Sequence, residues 1–437
     1  MAGISNNYED VFKKRRELKK SELNLLDKDE LITKVIQLQA QNEQLQRLVY
    51  LNEKTEKNTP KKKKEGRQFN FTKFAKRHVF LQIAYLGWDY LGYVTQDHSE
   101  RTIEAELFKA LTKTCLIESR ETANYHRCGR TDKGVSAFFQ VISIDLRSQV
   151  SSSLGVYIPE GHTAKDEEEE MDYIGILNRV LPKEIQVIAW APVEQGLSSR
   201  FDCKKRTYKY FFPKADLDIQ AMREASQYLL GTHDFRNFCK MDVGNGVINY
   251  TRNILELTID APTGDDSYNM CELTIQGQAF LWHQVRCVVA ILFLIGQRKE
   301  NPDLVKELLD VDKNPRKPQY SMASEIPLIL FDSSYEGIEW KHNQQSLKTT
   351  IKHFQELWCN YAVRLLLLKL RMLRATMLNK IMATLSSISV PGNLEMNKLN
   401  SQILIEGVES KVYKPIMKRQ LCDPLGRMSP SGSVVSA

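Results

Sequence analysis

Residues 126–137 separate two strand-like patterns, and this junction constrains the fold more than any other stretch of the chain. Beyond it, Ile142, Ile144 and Leu146 alternate with the polar residues that separate them, which is the period of a half-buried strand. The junction reads His-Arg-Cys-Gly-Arg-Thr-Asp-Lys-Gly-Val-Ser-Ala and sets one carboxylate, Asp132, among three cations. Asp132 therefore lies at the entrance of a strand. Local features alone favour a turn, in which Asp bonds to its own backbone and glycine takes a positive φ.

The order of strand and helix patterns predicts an α+β body made of two similar halves. In the first half, alternation from Val79 to Tyr85 indicates a strand, and a helix begins near Thr102. The second half repeats this order, with a strand at 205–213, a helix at 218–230, strands near 250–260 and 269–277, and a helix from Phe280. We therefore expect two mixed α/β halves, 69–204 and 205–335, whose largely antiparallel sheets face a central cleft.

An N-terminal helix is predicted over residues 1–53. Its apolar residues recur every four and three positions between Leu31 and Val49, with Asn42 at an a position, as in a short coiled coil. A helix lying on the body of the same chain is the alternative. Residues 54–68 are too polar to bury and are read as a basic linker. Its run of four lysines fits a nuclear localisation signal, a contact with RNA phosphate or a solvated tether equally well.

Residues 336–437 form a C-terminal extension in the sequence. A helical pattern runs from about Leu347 to Ser387, and the last dozen residues have the composition of a flexible tail.

Composition limits the class of protein. The chain carries 61 Lys and Arg against 54 Asp and Glu, and this net charge of +7 favours a polyanionic partner. The eight cysteines include no Cys-x-x-Cys pair and the histidines no His-x3-His spacing, so we expect neither a zinc site nor disulfides, and a reducing compartment. The longest apolar run, Cys287 to Ile295, is far shorter than the roughly 20 residues that span a bilayer, so no membrane association is expected.

The junction resembles the active-site motif of the TruA family of tRNA pseudouridine synthases, Gly-Arg-Thr-Asp-x-Gly-Val, which stands here as residues 129–135. Other blocks resemble the family in the same order. They are residues 84–92, Asn178-Arg179-Val180-Leu181-Pro182, Arg206-Thr207-Tyr208-Lys209-Tyr210, residues 231–235, and Phe280-Leu281-Trp282-His283-Gln284-Val285-Arg286. Ser136 replaces a histidine that is common in the family, and residues 133–137 look like the eukaryotic branch that modifies uridines 38 and 39 of the tRNA anticodon stem-loop.

The resemblance implies a catalytic role for three residues. Asp132 is implied to be the catalytic carboxylate, as nucleophile or as base at the sugar. Tyr208 is implied to stack on the extruded uracil, and Arg286 to be the cation beside Asp132. The reaction conserves atoms and oxidation state, so neither a metal nor another cofactor is expected.

The resemblance also implies tRNA as the partner. Arg130 is expected to occupy the space that the flipped base vacates. Contacts with RNA phosphate are expected from six cations near the family blocks: Arg127, Arg130, Lys133, Lys205, Arg206 and Lys240. We further expect a homodimer, formed through the N-terminal helix, and a location in nucleus and cytoplasm.

Two other functions fit parts of the sequence. A non-catalytic RNA-binding protein could keep the fold and recruit partners through the coiled coil, but the intact Asp132, Tyr208 and Arg286 argue against it. A glycoside or nucleoside hydrolase would need a second carboxylate as acid partner, and the matched blocks contain none.

Overall fold

The protein is described by a computed structural model over residues 69–96, 101–163, 167, 169–240, 249–264, 266–385, 399, 401–404 and 413–422. The chain divides into two units, Met1–Phe69 and Asn70–Ala437. The predicted N-terminal helix, its coiled coil and the basic linker lie outside the described residues. All of the described helices and strands belong to the second unit.

Ten strands and six helices are found in the described part of this unit. The strands are β1 (Ala75–Tyr85), β2 (His126–Arg127), β3 (Ser136–Ser148), β4 (Val156–Tyr157), β5 (Ile185–Pro192), β6 (Lys205–Pro213), β7 (Gly231–Asp234), β8 (Thr251–Asp260), β9 (Met270–Gly277) and β10 (Leu328–Ser334). The helices are α1 (Ile103–Lys113), α2 (Tyr173–Asn178), α3 (Ile219–Gln227), α4 (Gln284–Gly296), α5 (Leu304–Leu309) and α6 (Gln344–Leu385).

All ten strands belong to one sheet, in the order β4-β1-β3-β10-β6-β9-β8-β7, with β2 also paired to β3 and β5 to β1. Neighbouring strands are antiparallel except β10 and β3, which are parallel. The α+β class is therefore confirmed, with a mostly antiparallel sheet. The last strand in sequence, β10, inserts between β3 and β6 and joins the strands of residues 75–192 to those of residues 205–277.

Helix α4 packs against one face of β6. Every residue of α4 is buried, as expected for a helix that is apolar on all sides. The Phe293 ring packs edge-on against Tyr210 and Phe212, with centroids 6.0 and 5.1 Å apart. Side chains of a strand alternate between faces, so Tyr208 lies on this same face. Its ring packs edge-on against Phe280, with centroids 5.2 Å apart.

The C-terminal helix predicted over about 347–387 runs from Gln344 to Leu385 as α6. Its first turns pack on the body, where the buried Thr350 hydroxyl donates a hydrogen bond to Gln186 Oε1 at 3.2 Å. Among the described residues, no helix combines the length and apolar character needed to cross a membrane.

A buried ion pair links β1 to β3. His78 Nδ1 bonds to Asp145 Oδ1, His78 Nε2 donates to the Leu197 carbonyl at 2.8 Å, and the Tyr157 hydroxyl donates to Asp145 Oδ2 at 2.8 Å. Burial lowers the pKa of His78, but the hydrogen bonds to Asp145 and Leu197 and the negative charge of Asp145 outweigh it, so the net pKa is raised. Both ring nitrogens face acceptors, which suits the imidazolium form.

This pair should make stability depend on pH. The raised folded-state pKa of His78 means that its contribution is complete below the unfolded pKa of about 6.5 and declines as pH rises through the folded-state value. His78→Gln cannot be protonated, so it should remove this part of the pH dependence and lower the free energy of unfolding by about 3 kcal/mol at low pH. Thermal melts between about pH 5.5 and 8.5 measure both effects. Replacing the exposed His126 by Gln is the control, and a His78→Gln profile parallel to wild type would contradict the prediction.

Candidate active site

Asp132 lies in the loop between β2 and β3, four residues before β3 begins at Ser136. The Val135 amide donates to the Asp132 carbonyl at 3.2 Å, and Gly134 has φ +80°. The turn that local features predict is therefore present. It also presents the Asp132 side chain, which is 24% exposed, at the end of a buried strand.

Residues 85–93 hold this loop in place from one side. The segment follows directly from β1 and makes four hydrogen bonds to the loop: Tyr85 hydroxyl to Thr131 Oγ1 (2.7 Å), Gly87 amide to Ser136 Oγ (3.0 Å), Tyr93 amide to Thr131 carbonyl (3.1 Å) and Gly134 amide to Tyr90 carbonyl (3.2 Å). Ser136, the departure from the family pattern, thus accepts a hydrogen bond that anchors the loop. These bonds restrict the position of the Asp132 backbone.

Gly87 is required by close approach of two backbones. A Cβ added there would lie 2.0 Å from the Val135 carbonyl oxygen, an atom that cannot move without moving the loop. We expect Gly87→Ala to lower the free energy of unfolding by about 1 to 3 kcal/mol, and the melting temperature should fall with it. The substitution should also slow turnover by about 100-fold, because Asp132 is displaced.

The control for Gly87→Ala is Gly129→Ala in the same loop. Its Cβ would meet nothing within 4 Å, so its melting temperature should stay at the wild-type value. Melting curves and single-turnover rates distinguish the variants, and a Gly87→Ala protein equal to wild type in both would show that the loop tolerates displacement.

Strand register brings Tyr208 to the same face of the sheet as the Asp132 loop. Tyr85 pairs with Ala137, Ala137 with Leu330, and Leu330 with Tyr208, so these side chains form one row across β1, β3, β10 and β6. Burial raises the pKa of Tyr208, the Arg206 charge opposes the rise, and the Asp132 carboxylate adds to it. The phenol therefore stays protonated at neutral pH. Asp132 and Tyr208, distant in sequence, face a common space.

Within the described residues, the imidazole ring of His283 lies beside the Asp132 carboxylate. Its Nε2 lies 3.4 Å from Asp132 Oδ2, and the side chain is 11% exposed. The residue immediately precedes α4, in the left-handed conformation with φ +59°. Its ring packs on Trp282 with centroids 4.7 Å apart. The sequence block that contains His283 indicates its neighbourhood but gives no sign of this contact.

Arg286 contacts the Asp132 loop indirectly, through the carboxylate of Glu325. No sequence pattern indicated a role for Glu325. Arg286 Nη2 lies 2.7 Å from Glu325 Oε2, and Arg286 Nε donates to the Ala323 carbonyl at 2.8 Å. The Glu325 Cγ would be only 2.8 Å from a Cβ on Gly134, so this pair packs against the Asp132 loop. The family resemblance predicted Arg286 itself beside Asp132. In the structure His283 lies beside Asp132 and Glu325 pairs with Arg286. The place of Arg286 beside Asp132 and its catalytic role both stay predictions.

The known proteins that this chain resembles along most of its length are named as tRNA pseudouridine synthases. A family model described as tRNA pseudouridine synthase matches residues 225–336. The tRNA pseudouridine(38/39) synthase of Homo sapiens is 47% identical over 392 residues, which cover 83% of this chain and 78% of the relative. The Saccharomyces cerevisiae protein of that name is 39% identical over 286 residues, 64% of this chain and 62% of the relative. The tRNA pseudouridine synthase A of Methanosarcina barkeri is 33% identical over 270 residues, 62% of this chain and 89% of the relative.

The chain belongs to the TruA family of tRNA pseudouridine synthases. Members of this family are isomerases, so the shared space between Asp132 and Tyr208 is the candidate active site.

Three of the six cations expected to contact RNA present their charge to solvent. Arg130 and Lys133 are exposed on the Asp132 loop. Lys240 is exposed and its Nζ lies 4.6 Å from the centroid of the Trp282 ring, beside His283. Their positions around Asp132 suit contact with a polyanion.

The other three expected cations are already engaged with protein groups. Arg127 pairs with Glu104 at 2.9 Å, and Lys205 Nζ donates to Gln276 at 3.1 Å. Arg206 is buried, and its guanidinium donates to the carbonyl groups of Cys128, Arg200 and Gln278. Arg206 thus ties the start of the Asp132 loop to β6, a geometry that suits support of the site better than phosphate contact.

Proposed function

We propose that this protein isomerises uridine to pseudouridine in the anticodon stem-loop of tRNA, at positions 38 and 39, with Asp132 as the catalytic carboxylate. The observation that carries the proposal is the 47% identity, over 83% of the chain, to a human enzyme named for those two positions. The geometry supports it, because the Asp132 carboxylate lies near the His283 ring and close enough to Tyr208 for its charge to act on the phenol.

The chemistry requires the N-glycosidic bond to break, the uracil to turn and a bond from sugar C1′ to uracil C5 to form. The proton on C5 is then lost and one is gained at N1, so the isomerisation has no net change in atoms or oxidation state. Asp132 supplies a carboxylate on a loop held by hydrogen bonds from residues 85–93, either as nucleophile or as base at the sugar. Preorganisation of this group is the contribution that the fold makes to the rate.

The target base must leave the stack to reach Asp132. We infer that Tyr208 receives it, since the ring lies in the row that faces Asp132 and its protonated hydroxyl can donate a hydrogen bond to the base. The exposed Arg130, two residues before Asp132, is placed to enter the space the base vacates.

We infer that the body works as two halves around a cleft, 69–204 and 205–335. Among the described strands, the one parallel pairing, β10 with β3, joins the two halves, and it lies at Ser136 and Ala137 beside the Asp132 loop. A substrate lying along the row from Tyr85 to Tyr208 would contact both halves.

A tRNA transcript carrying tritium at uracil C5 tests the proposed activity. Formation of pseudouridine releases the label to water, binding alone releases none, and a hydrolase would free labelled uracil. Transcripts with cytidine in place of uridine at position 38, 39 or both then assign the position. Release that persists when both uridines are absent would overturn the positional proposal but keep the reaction class.

We also infer that the protein forms a homodimer. Support comes from α6, where the four consecutive leucines Leu365, Leu366, Leu367 and Leu368 are 56 to 60% exposed, because large exposed apolar patches often mark contacts between proteins. Light scattering should give about twice the chain mass of 50.4 kDa. Loss of the dimer on deletion of residues 1–65 would assign the contact to the N-terminal segment. Loss on replacing the four leucines by Gln would assign it to α6, and a monomeric wild type would exclude both.

A further inference from the structure

We propose that His283 is a positioning residue that holds one oxygen of the Asp132 carboxylate and leaves the other for the substrate. The inference rests on the proposed function, in which Asp132 is the catalytic group. It adds a residue at the N-cap of α4, from the second half of the body, to the support of a loop in the first half.

The contact is directed at one carboxylate oxygen. His283 Nε2 is 3.4 Å from Asp132 Oδ2, longer than a good hydrogen bond. Catalytic hydrogen bonds are often long without substrate and shorten in the complex. With Oδ2 facing the imidazole, Oδ1 is the oxygen available to the flipped nucleotide.

The backbone at His283 points to a role for its side chain. The residue occupies the N-cap of α4 but makes no side-chain cap hydrogen bond, where Ser, Thr, Asp or Asn would normally stand. Its φ of +59° is a conformation that favours Gly or Asn. Histidine therefore suits neither local requirement, and the left-handed backbone is what turns its ring toward Asp132.

The surroundings of the ring select a tautomer. Nδ1 is buried and has no hydrogen-bond partner among the described residues, while Nε2 faces the carboxylate. A hydrogen on Nδ1 would be buried without an acceptor, whereas a lone pair there costs less. The neutral ring with hydrogen on Nε2 fits, so His283 orients Asp132 as a hydrogen-bond donor without neutralising its charge. Packing on Trp282 fixes the plane of the ring.

His283→Gly in the full chain tests this role. Glycine accepts φ +59° without strain, so the melting temperature should not fall, while loss of the imidazole should slow single-turnover label release by about 10- to 100-fold. The Kd for tRNA should change by less than about threefold, because the ring acts on Asp132 rather than on phosphate. Added imidazole should restore part of the rate in His283→Gly and have no effect on wild type.

Arg298→Gly is the matched control. Arg298 follows the other end of α4 with φ +56°, and its side chain is 81% exposed, so the same backbone change there should leave turnover at the wild-type rate. An active wild type with a His283→Gly rate within about twofold of it would overturn the positioning role alone. Loss of rate with no imidazole rescue would also overturn it, since the defect would then be structural. A wild type that releases no label would instead overturn the proposed function.

Discussion

We expect Asp132→Asn to lower the single-turnover rate of label release by about 10³- to 10⁴-fold while leaving tRNA affinity within a few fold. Asparagine is nearly isosteric with aspartate, so the turn and the bonds from residues 85–93 remain, and only the negative charge is lost. The Asp132 side chain is 24% exposed and its contact with His283 is long, so the melting temperature should change little.

Asp89→Asn is a charge-matched control for Asp132→Asn. Asp89 lies in the neighbouring segment, but its side chain is 79% exposed and 3.7 Å from Arg101. This variant should turn over at the wild-type rate. A folded Asp132→Asn protein that binds tRNA and keeps its turnover would remove Asp132 from the chemistry.

The second large effect is expected from Arg286→Ala. Arg286 is 7% exposed in its side chain and pairs with Glu325, so its removal leaves a partly buried carboxylate without this partner. We expect the free energy of unfolding to fall by about 3 kcal/mol, the lower end of the range for a broken buried pair because Glu325 is 22% exposed. Glu325 would then no longer be held against Gly134, and displacement of the loop should slow turnover by about 100-fold.

Arg286→Lys separates charge from geometry. Lysine keeps the positive charge but loses the planar guanidinium that bonds Glu325 and the Ala323 carbonyl together, so turnover and melting temperature should lie between wild type and Arg286→Ala. Arg298→Ala, which breaks an exposed pair at the far end of α4, should affect neither. Normal turnover in a folded Arg286→Ala protein would exclude Arg286 from support of the site.

Local patterns in the sequence predicted the elements that carry the site. The strand that follows the Asp132 loop and the strand of Tyr208 follow from side-chain periodicity, which depends only on near neighbours in the chain. The buried helix was expected from Phe280, but it begins at Gln284 in the structure. The turn at Asp132 likewise follows from Asp and Gly within a few residues of each other. The family resemblance then implied the chemistry, because its blocks occur in the same order along this chain.

Contacts between distant segments were decided by the tertiary structure. Periodicity cannot show that β10 inserts between β3 and β6, and this insertion is what aligns Tyr208 with the Asp132 loop. Nor can it show that Arg206 turns inward to three backbone carbonyls.

The partners of Asp132 and Arg286 were also decided by contacts between distant segments. The sequence determined that Asp132 stands on a turn before a strand and that Arg286 directly precedes the apolar run Cys287 to Ile295, since both depend on adjacent residues. Only the tertiary structure decided that His283 contacts Asp132 and that Glu325 pairs with Arg286. The physical reason is that a buried charge takes whichever partner the packing of distant elements brings within a few ångströms, and separation along the chain carries no information about that distance.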